Sequence, residues 1–109
     1  MSYGYIGSMR CQRGRRGDVM AILLTGVDDL RDAGCEAYVV SRSDTDEDTI
    51  WVFEIWQTKE HHAASLQRPQ VKASISAAMP MLTGEFTGQE LTVVGALGVG
   101  SPNDQPELR

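Results

Sequence analysis

Ile50-Trp51-Val52-Phe53-Glu54-Ile55-Trp56 decides the fold. These seven residues hold both tryptophans and one of the two phenylalanines of the chain. The run is too short for a free-standing helix and too aromatic and β-branched for a loop, so it reads as a strand. Alternation puts Trp51, Phe53 and Ile55 on one face and Ile50, Val52, Glu54 and Trp56 on the other. A strand that is apolar on both sides is covered on both sides. Glu54 is the one charge in the run. A carboxylate on a buried face is costly without partners or water, so this face is expected to line a cavity or to meet a buried partner.

Downstream, Gln57-Thr58-Lys59-Glu60-His61-His62 contains both histidines of the chain. Thr58 is a good N-cap and Glu60 suits the first turn. His62, Ala63 and Leu66 then share a helical face. Pro69 fits the first turn of a further helical segment, whose stripe is Val71, Ile75, Ala78, Met79 and Leu82. The spacing predicts two short helices at an angle, or one kinked helix. Residues 85–94 follow as a fourth strand, with Gly88 as a bulge.

Upstream, Ser43-Asp44-Thr45-Asp46-Glu47-Asp48 is an acidic link too short to hold a helix. It joins strand three to a second strand, 35–42, as an antiparallel hairpin. In strand two, Cys35, Ala37 and Val39 are expected on one side and Tyr38 and Val40 on the other. The link lacks the glycine and distal glutamate of a calcium loop and reads as a solvated tip. Before it, Val19, Ile22, Leu23, Val27 and Leu30 recur at helical spacing. Gly26 inside that helix would mark a close approach to a neighbour, and Gly34 would end it. Tyr3 to Cys11 alternates as a first strand, with Gly4 and Gly7 leaving room for a large group above it.

The order is therefore β-α-β-β-α-β, a ferredoxin-like α+β fold with a four-stranded antiparallel sheet. Right-handed crossovers put both helices on one face. The other face would be bare in a single chain, yet strand three is apolar there. Such a patch implies a partner, so a homodimer packed sheet to sheet is expected.

At 109 residues the chain can bury roughly two thirds of its unfolded surface without staples. Residues 1–96 form one domain, and 97–109 an irregular tail. Cys11 and Cys35 read as small buried hydrophobes rather than a disulfide, which fits a reducing cytoplasm. The net charge is -5. Arg10, Arg13, Arg15 and Arg16 cluster without interleaved aromatics, so no nucleic-acid partner is expected. No apolar run approaches a membrane span, and no signal-peptide pattern is present.

The β-α-β-β-α-β order, Glu54-Ile55-Trp56 closing strand three, and Thr58-Lys59-Glu60-His61-His62 opening the next helix resemble the antibiotic biosynthesis monooxygenase domain family. Gly34-Cys35 at the start of strand two and Leu66-Gln67-Arg68-Pro69-Gln70-Val71-Lys72 at the helix break add to the likeness. It covers about residues 3–96. The resemblance implies a dimeric α+β barrel and oxidation of electron-rich aromatics by molecular oxygen without a cofactor. In anthrone-oxidising members a strand-three Trp, an Asn four residues before it and a Tyr six after it surround the substrate. Trp56 matches the Trp, Val52 takes the Asn position and His62 the Tyr position. Haem-degrading relatives need a strand-one Asn and a His on the later helical segment. Neither is present here.

The candidate catalytic residues are thus Trp56, His62 and Glu54, with no cofactor and no metal. A neutral His can deprotonate a substrate near pH 7. Placed at a helix start, His62 would be kept neutral by the dipole. Trp offers an indole N–H and a flat surface to an aromatic ligand. Glu54 could orient His62 or accept a substrate hydroxyl. Each has a plainer reading: Trp56 as a core aromatic, His62 as a surface residue, and Glu54 as an acceptor for Arg10 or a backbone amide. His61 reads as exposed. Neighbouring histidines on a helix diverge by about 100°, which disfavours a metal pair. Two functions stay open: a small monooxygenase, or a non-catalytic dimeric protein binding an apolar small molecule.

Overall fold

The computed structural model describes residues 1–98. The expected tail, 97–109, lies outside the described residues beyond its first two positions. Four strands form one antiparallel sheet in the order β2-β3-β1-β4: β1 (Ser2–Cys11), β2 (Cys35–Arg42), β3 (Thr49–Trp56) and β4 (Leu82–Val93). Three α-helices, α1 (Arg16–Leu24), α2 (Lys59–Ser65) and α3 (Pro69–Ala78), occupy the two crossovers. This is the ferredoxin-like arrangement the strand pattern predicts.

The core lies between the sheet and α1 and α3. Ile50, Val19, Cys11, Val52 and Ala78 are all buried to 5% exposure or less. Burying a Val or Ile side chain contributes about 1.5–3 kcal/mol, so these few residues fix the helices against β3. Both cysteines are buried free thiols.

The α1 segment differs from its sequence pattern. The periodic run over Val19 to Leu30 is broken, because Gly26 adopts φ 72°, a left-handed conformation. Thr25 closes the helix by donating its hydroxyl to the Ala21 carbonyl at 2.7 Å, and Val27–Leu30 forms a separate 3-10 turn. Gly26 is a helix stop rather than a contact point.

The register of β2 also departs from simple alternation. Cys35 pairs with Trp56 but Ala37 with Ile55, so one residue, Glu36, is bulged out. Cys35 consequently shares a face with Tyr38 and Val40, not with Ala37 and Val39. Gly88 is no bulge either. It pairs regularly with Gly7, and the β1–β4 irregularity falls between Met9 and Cys11. The Tyr5 ring lies against Gly7 of β1 and Gly88 of β4, whereas Gly4 lies against Val93 and Leu91.

The acidic hairpin tip is fastened from below. Arg16 Nη1 donates to the carbonyls of Asp46 at 2.9 Å and Ser43 at 3.0 Å. No helix among the described residues is long and apolar enough to cross a membrane.

Candidate functional site

The strand registers build the site as two rows across the inner face of the sheet. One row is Tyr38, Glu54, Tyr5 and Glu90, and the next is Cys35, Trp56, Tyr3 and Thr92. His62 descends onto these rows from α2. Its ring lies 5.6 Å from Tyr5 in a stacked pose, 5.5 Å from Tyr3 and 5.5 Å from Trp56. The helix is aimed by its start: Thr58 accepts the His61 N–H at 3.1 Å. His61 itself lies over Gly34 and faces outward.

Above the rows is a cavity of about 410 Å³, inside the ~300–1,000 Å³ range of small-molecule sites. Its apolar walls include Ile22, Leu23 and Leu30 on one side and Val71, Ile75 and Phe86 on the other. Glu54, Trp56, His62 and Tyr38 all line it. The three residues singled out from the sequence are therefore brought together. Tyr38, opposite Glu54 on β2, is a cavity residue the sequence reading did not select.

The geometry revises the roles expected of the three. The Trp56 indole N–H donates to Glu54 Oε1 at 3.0 Å, and the ring is 1% exposed. Its donor is spent inside the protein, so Trp56 holds Glu54 rather than offering a hydrogen bond to a ligand. His62 Nε2 is 3.7 Å from the same oxygen, too long for a hydrogen bond but close for an ion pair. His62 stands mid-way along a seven-residue helix, so it is not at a helix start and the expected N-terminal dipole effect does not apply. Glu54 has no contact with Arg10, which pairs with Asp46 and Glu85 instead.

Burial raises the Glu54 carboxyl above its ordinary value, opposed by the Trp56 N–H and by His62. A buried carboxyl so placed is a stronger base than an exposed one. Burial, then the neighbouring Glu54 charge, pushes the Tyr38 phenol well up, so Tyr38 stays a donor. Tyr3 is raised to about 12 by burial and by its bond to Glu90. It donates to Glu90 Oε2 at 3.0 Å, and Lys59 reaches the same oxygen at 2.8 Å. This chain ties β1, β4 and the first turn of α2 together. No three His, Cys, Asp or Glu side chains cluster as a metal site among the described residues.

A protein-family model described as antibiotic biosynthesis monooxygenase matches residues 2–77. Among solved structures, a provisionally assigned antibiotic biosynthesis monooxygenase from Chloroflexus aurantiacus J-10-fl is 37% identical. The match covers 92% of this chain and 100% of that one, with a TM-score of 0.82. Proteins with the same provisional assignment from Caulobacter crescentus CB15 and Nitrosomonas europaea share the fold. The first is 20% identical over 86% of this chain and 91% of that one, with a TM-score of 0.78. The second is 11% identical over 89% and 94%, with a TM-score of 0.81. No curated protein matches the chain. With the family match running from β1 into α3, and the site residues set on that shared frame, the chain belongs to the antibiotic biosynthesis monooxygenase family.

Proposed function

We propose that this protein is a cofactor-independent monooxygenase acting on an electron-rich aromatic of quinol or anthrone type. The observation that carries this reading is Glu54: a largely buried carboxylate, held by Trp56 and faced by His62, in an apolar cavity. Ground-state dioxygen is a triplet and reacts slowly with neutral organics, but an aromatic anion can pass it one electron. Glu54 takes the acidic proton of the substrate, with His62 beside it to share the charge. The anion and dioxygen become a radical and superoxide, which recombine at carbon as a hydroperoxide. Loss of water then leaves a carbonyl. For an anthrone methylene the balance is CH2 plus O2 giving C=O plus H2O. The apolar walls exclude solvent and strengthen the local electrostatics.

Oxygen uptake with a panel of anthrones and hydroquinones tests the reading. Activity that is lost in Glu54→Gln and His62→Ala supports it. Rates unchanged by both substitutions would overturn it. A second reading, a binding protein for an apolar aromatic, is favoured by Val52. It occupies the position of the Asn of anthrone-oxidising relatives and is buried in the core at 5% exposure. Saturable ligand binding without oxygen consumption would select it.

The protein is proposed to work as a homodimer. On the outer sheet face Val39 is 48% and Trp51 42% exposed; Phe53 lies between Val39 and Ile6 in one cross-strand row, with Trp51 two residues along β3. An apolar strip of this kind is costly in water. The free, buried cysteines fit a reducing compartment such as the cytoplasm.

A further inference from the structure

A phenolic hydroxyl ordinarily ionises near pH ~10 and a glutamate near ~4.3. Proton transfer from such a substrate to an ordinary glutamate is therefore uphill, and the raised Glu54 carboxyl lessens the climb. A donor aimed at the oxygen that becomes negative lessens it further. Several donors around the cavity are already committed. The Trp56 N–H goes to Glu54, the Ser65 hydroxyl to the His62 carbonyl, and the Thr25 hydroxyl to the Ala21 carbonyl. Arg68, at the helix break, gives one of its N–H groups to the Asp29 carbonyl. The Tyr3 hydroxyl, outside the cavity lining, goes to Glu90.

Tyr38 is different. It sits directly opposite Glu54 across the β2–β3 pair and lines the cavity. Its hydroxyl makes no hydrogen bond among the described residues. We propose that the Tyr38 hydroxyl donates to the same substrate oxygen that Glu54 deprotonates, so that the pair selects ligands whose reacting oxygen is a hydroxyl. The proton moves to Glu54 from that hydroxyl, which for an anthrone is the hydroxyl of its anthrol tautomer, and the resulting oxyanion keeps the Tyr38 hydrogen bond while the ring gives up its electron. Burial, then the Glu54 charge, raises the Tyr38 phenol and keeps its proton in place, while Cys35, itself pushed up to about 11, is an uncharged thiol near neutral pH. This inference rests on the monooxygenase reading for the fate of the anion, but not for its formation.

The test uses 4-nitrophenol, whose phenolate absorbs visible light, and 4-nitroanisole, which has the same shape and no hydroxyl. The expected result is that wild type prefers 4-nitrophenol. In Tyr38→Phe the ionisation midpoint of bound 4-nitrophenol should rise by about one pH unit, a tenfold effect typical of one hydrogen bond to a charge. Affinity for 4-nitroanisole should stay the same. Equal midpoints in the two proteins, or an equal loss of both ligands, would overturn the proposal. So would a wild type that does not prefer 4-nitrophenol, which needs no variant to measure. Oxygen uptake separates the two claims. A shifted midpoint without turnover keeps the clamp and removes the monooxygenase. Turnover that Tyr38→Phe leaves unchanged does the reverse.

Discussion

Trp56 donates its indole N–H to Glu54 Oε1 at 3.0 Å, two residues back along the same face of β3. Trp56→Phe keeps an aromatic ring in the slot and removes the donor. The carboxylate is then left with His62 alone. A loss of about 1–3 kcal/mol at neutral pH is expected, the cost of stripping a partner from a buried group. The loss should shrink in acid, where Glu54 is protonated. Urea unfolding at both pH values measures it, and a pH-independent loss would mean that only packing was disturbed.

Glu54 gives a separate test through linkage. Burial raises its folded carboxyl above the ordinary value, whereas the unfolded chain holds it at that value. As pH rises through the window between the two, the unfolded state releases a proton that the folded state keeps. Wild type therefore loses stability across that window and carries the full penalty above it. Below the ordinary carboxylate range the penalty is absent. Glu54→Gln has no such proton, so its melting temperature relative to wild type should climb from pH 4 to pH 8. A flat difference would contradict the raised carboxyl. Catalysis, if present, should fall sharply in the same variant.

Gly34 positions the helix that carries His62. It has φ 100°, and a Cβ built there would lie 2.6 Å from the His61 ring. Its carbonyl also accepts the Gln57 N–H at 2.9 Å, just ahead of α2. Gly34→Ala should cost about 1–3 kcal/mol through backbone strain, with the His61 clash added. It should also shift the His62 ring against Tyr5. Loss of ligand affinity beyond the stability change, read by calorimetry and ligand titration, checks this. Wild-type affinity in Gly34→Ala would show that α2 is placed by other contacts.

The outer sheet face offers a test without any ligand. Val39→Asp puts a charge at the β2 end of the apolar strip. Sedimentation should show dimer for wild type and monomer or aggregate for the variant. A well-folded monomeric wild type would remove the dimer proposal.

The hairpin, the four strands and the Pro69 helix start were legible because each is set by local chemistry: alternation, a short polar link and the fixed φ of proline. The gathering of Glu54, Trp56 and His62 followed from strand parity and a Thr58 cap. Two things were hidden. Gly26 sat inside an unbroken apolar period, which the left-handed backbone interrupts without changing the pattern of side chains. Tyr38 was hidden by register. Pairing outward from a link at 43–48 sets Arg42 against Thr49, one residue away from the observed Arg42–Ile50 pair. That one residue decides whether Tyr38 meets Phe53 or Glu54.

The bulge at Glu36 bears on how such cavities change chemistry. Its side chain is held by the Ser2 hydroxyl at 2.6 Å, and its presence sets the phase of β2 relative to the strand start. Loss of Glu36 itself would leave Cys35 with Trp56, Ala37 with Ile55 and Tyr38 with Glu54 in one regular ladder. Loss of a residue between Val39 and the hairpin would instead turn Tyr38 to the outer face, while Cys35 keeps Trp56 because the bulge takes up the change. The ligand would then meet the side chains of Ala37 and Val39 where a phenol now stands. Insertion or deletion of a single residue can thus convert a polar wall into a greasy one, a route to new ligands that needs no substitution at the site itself.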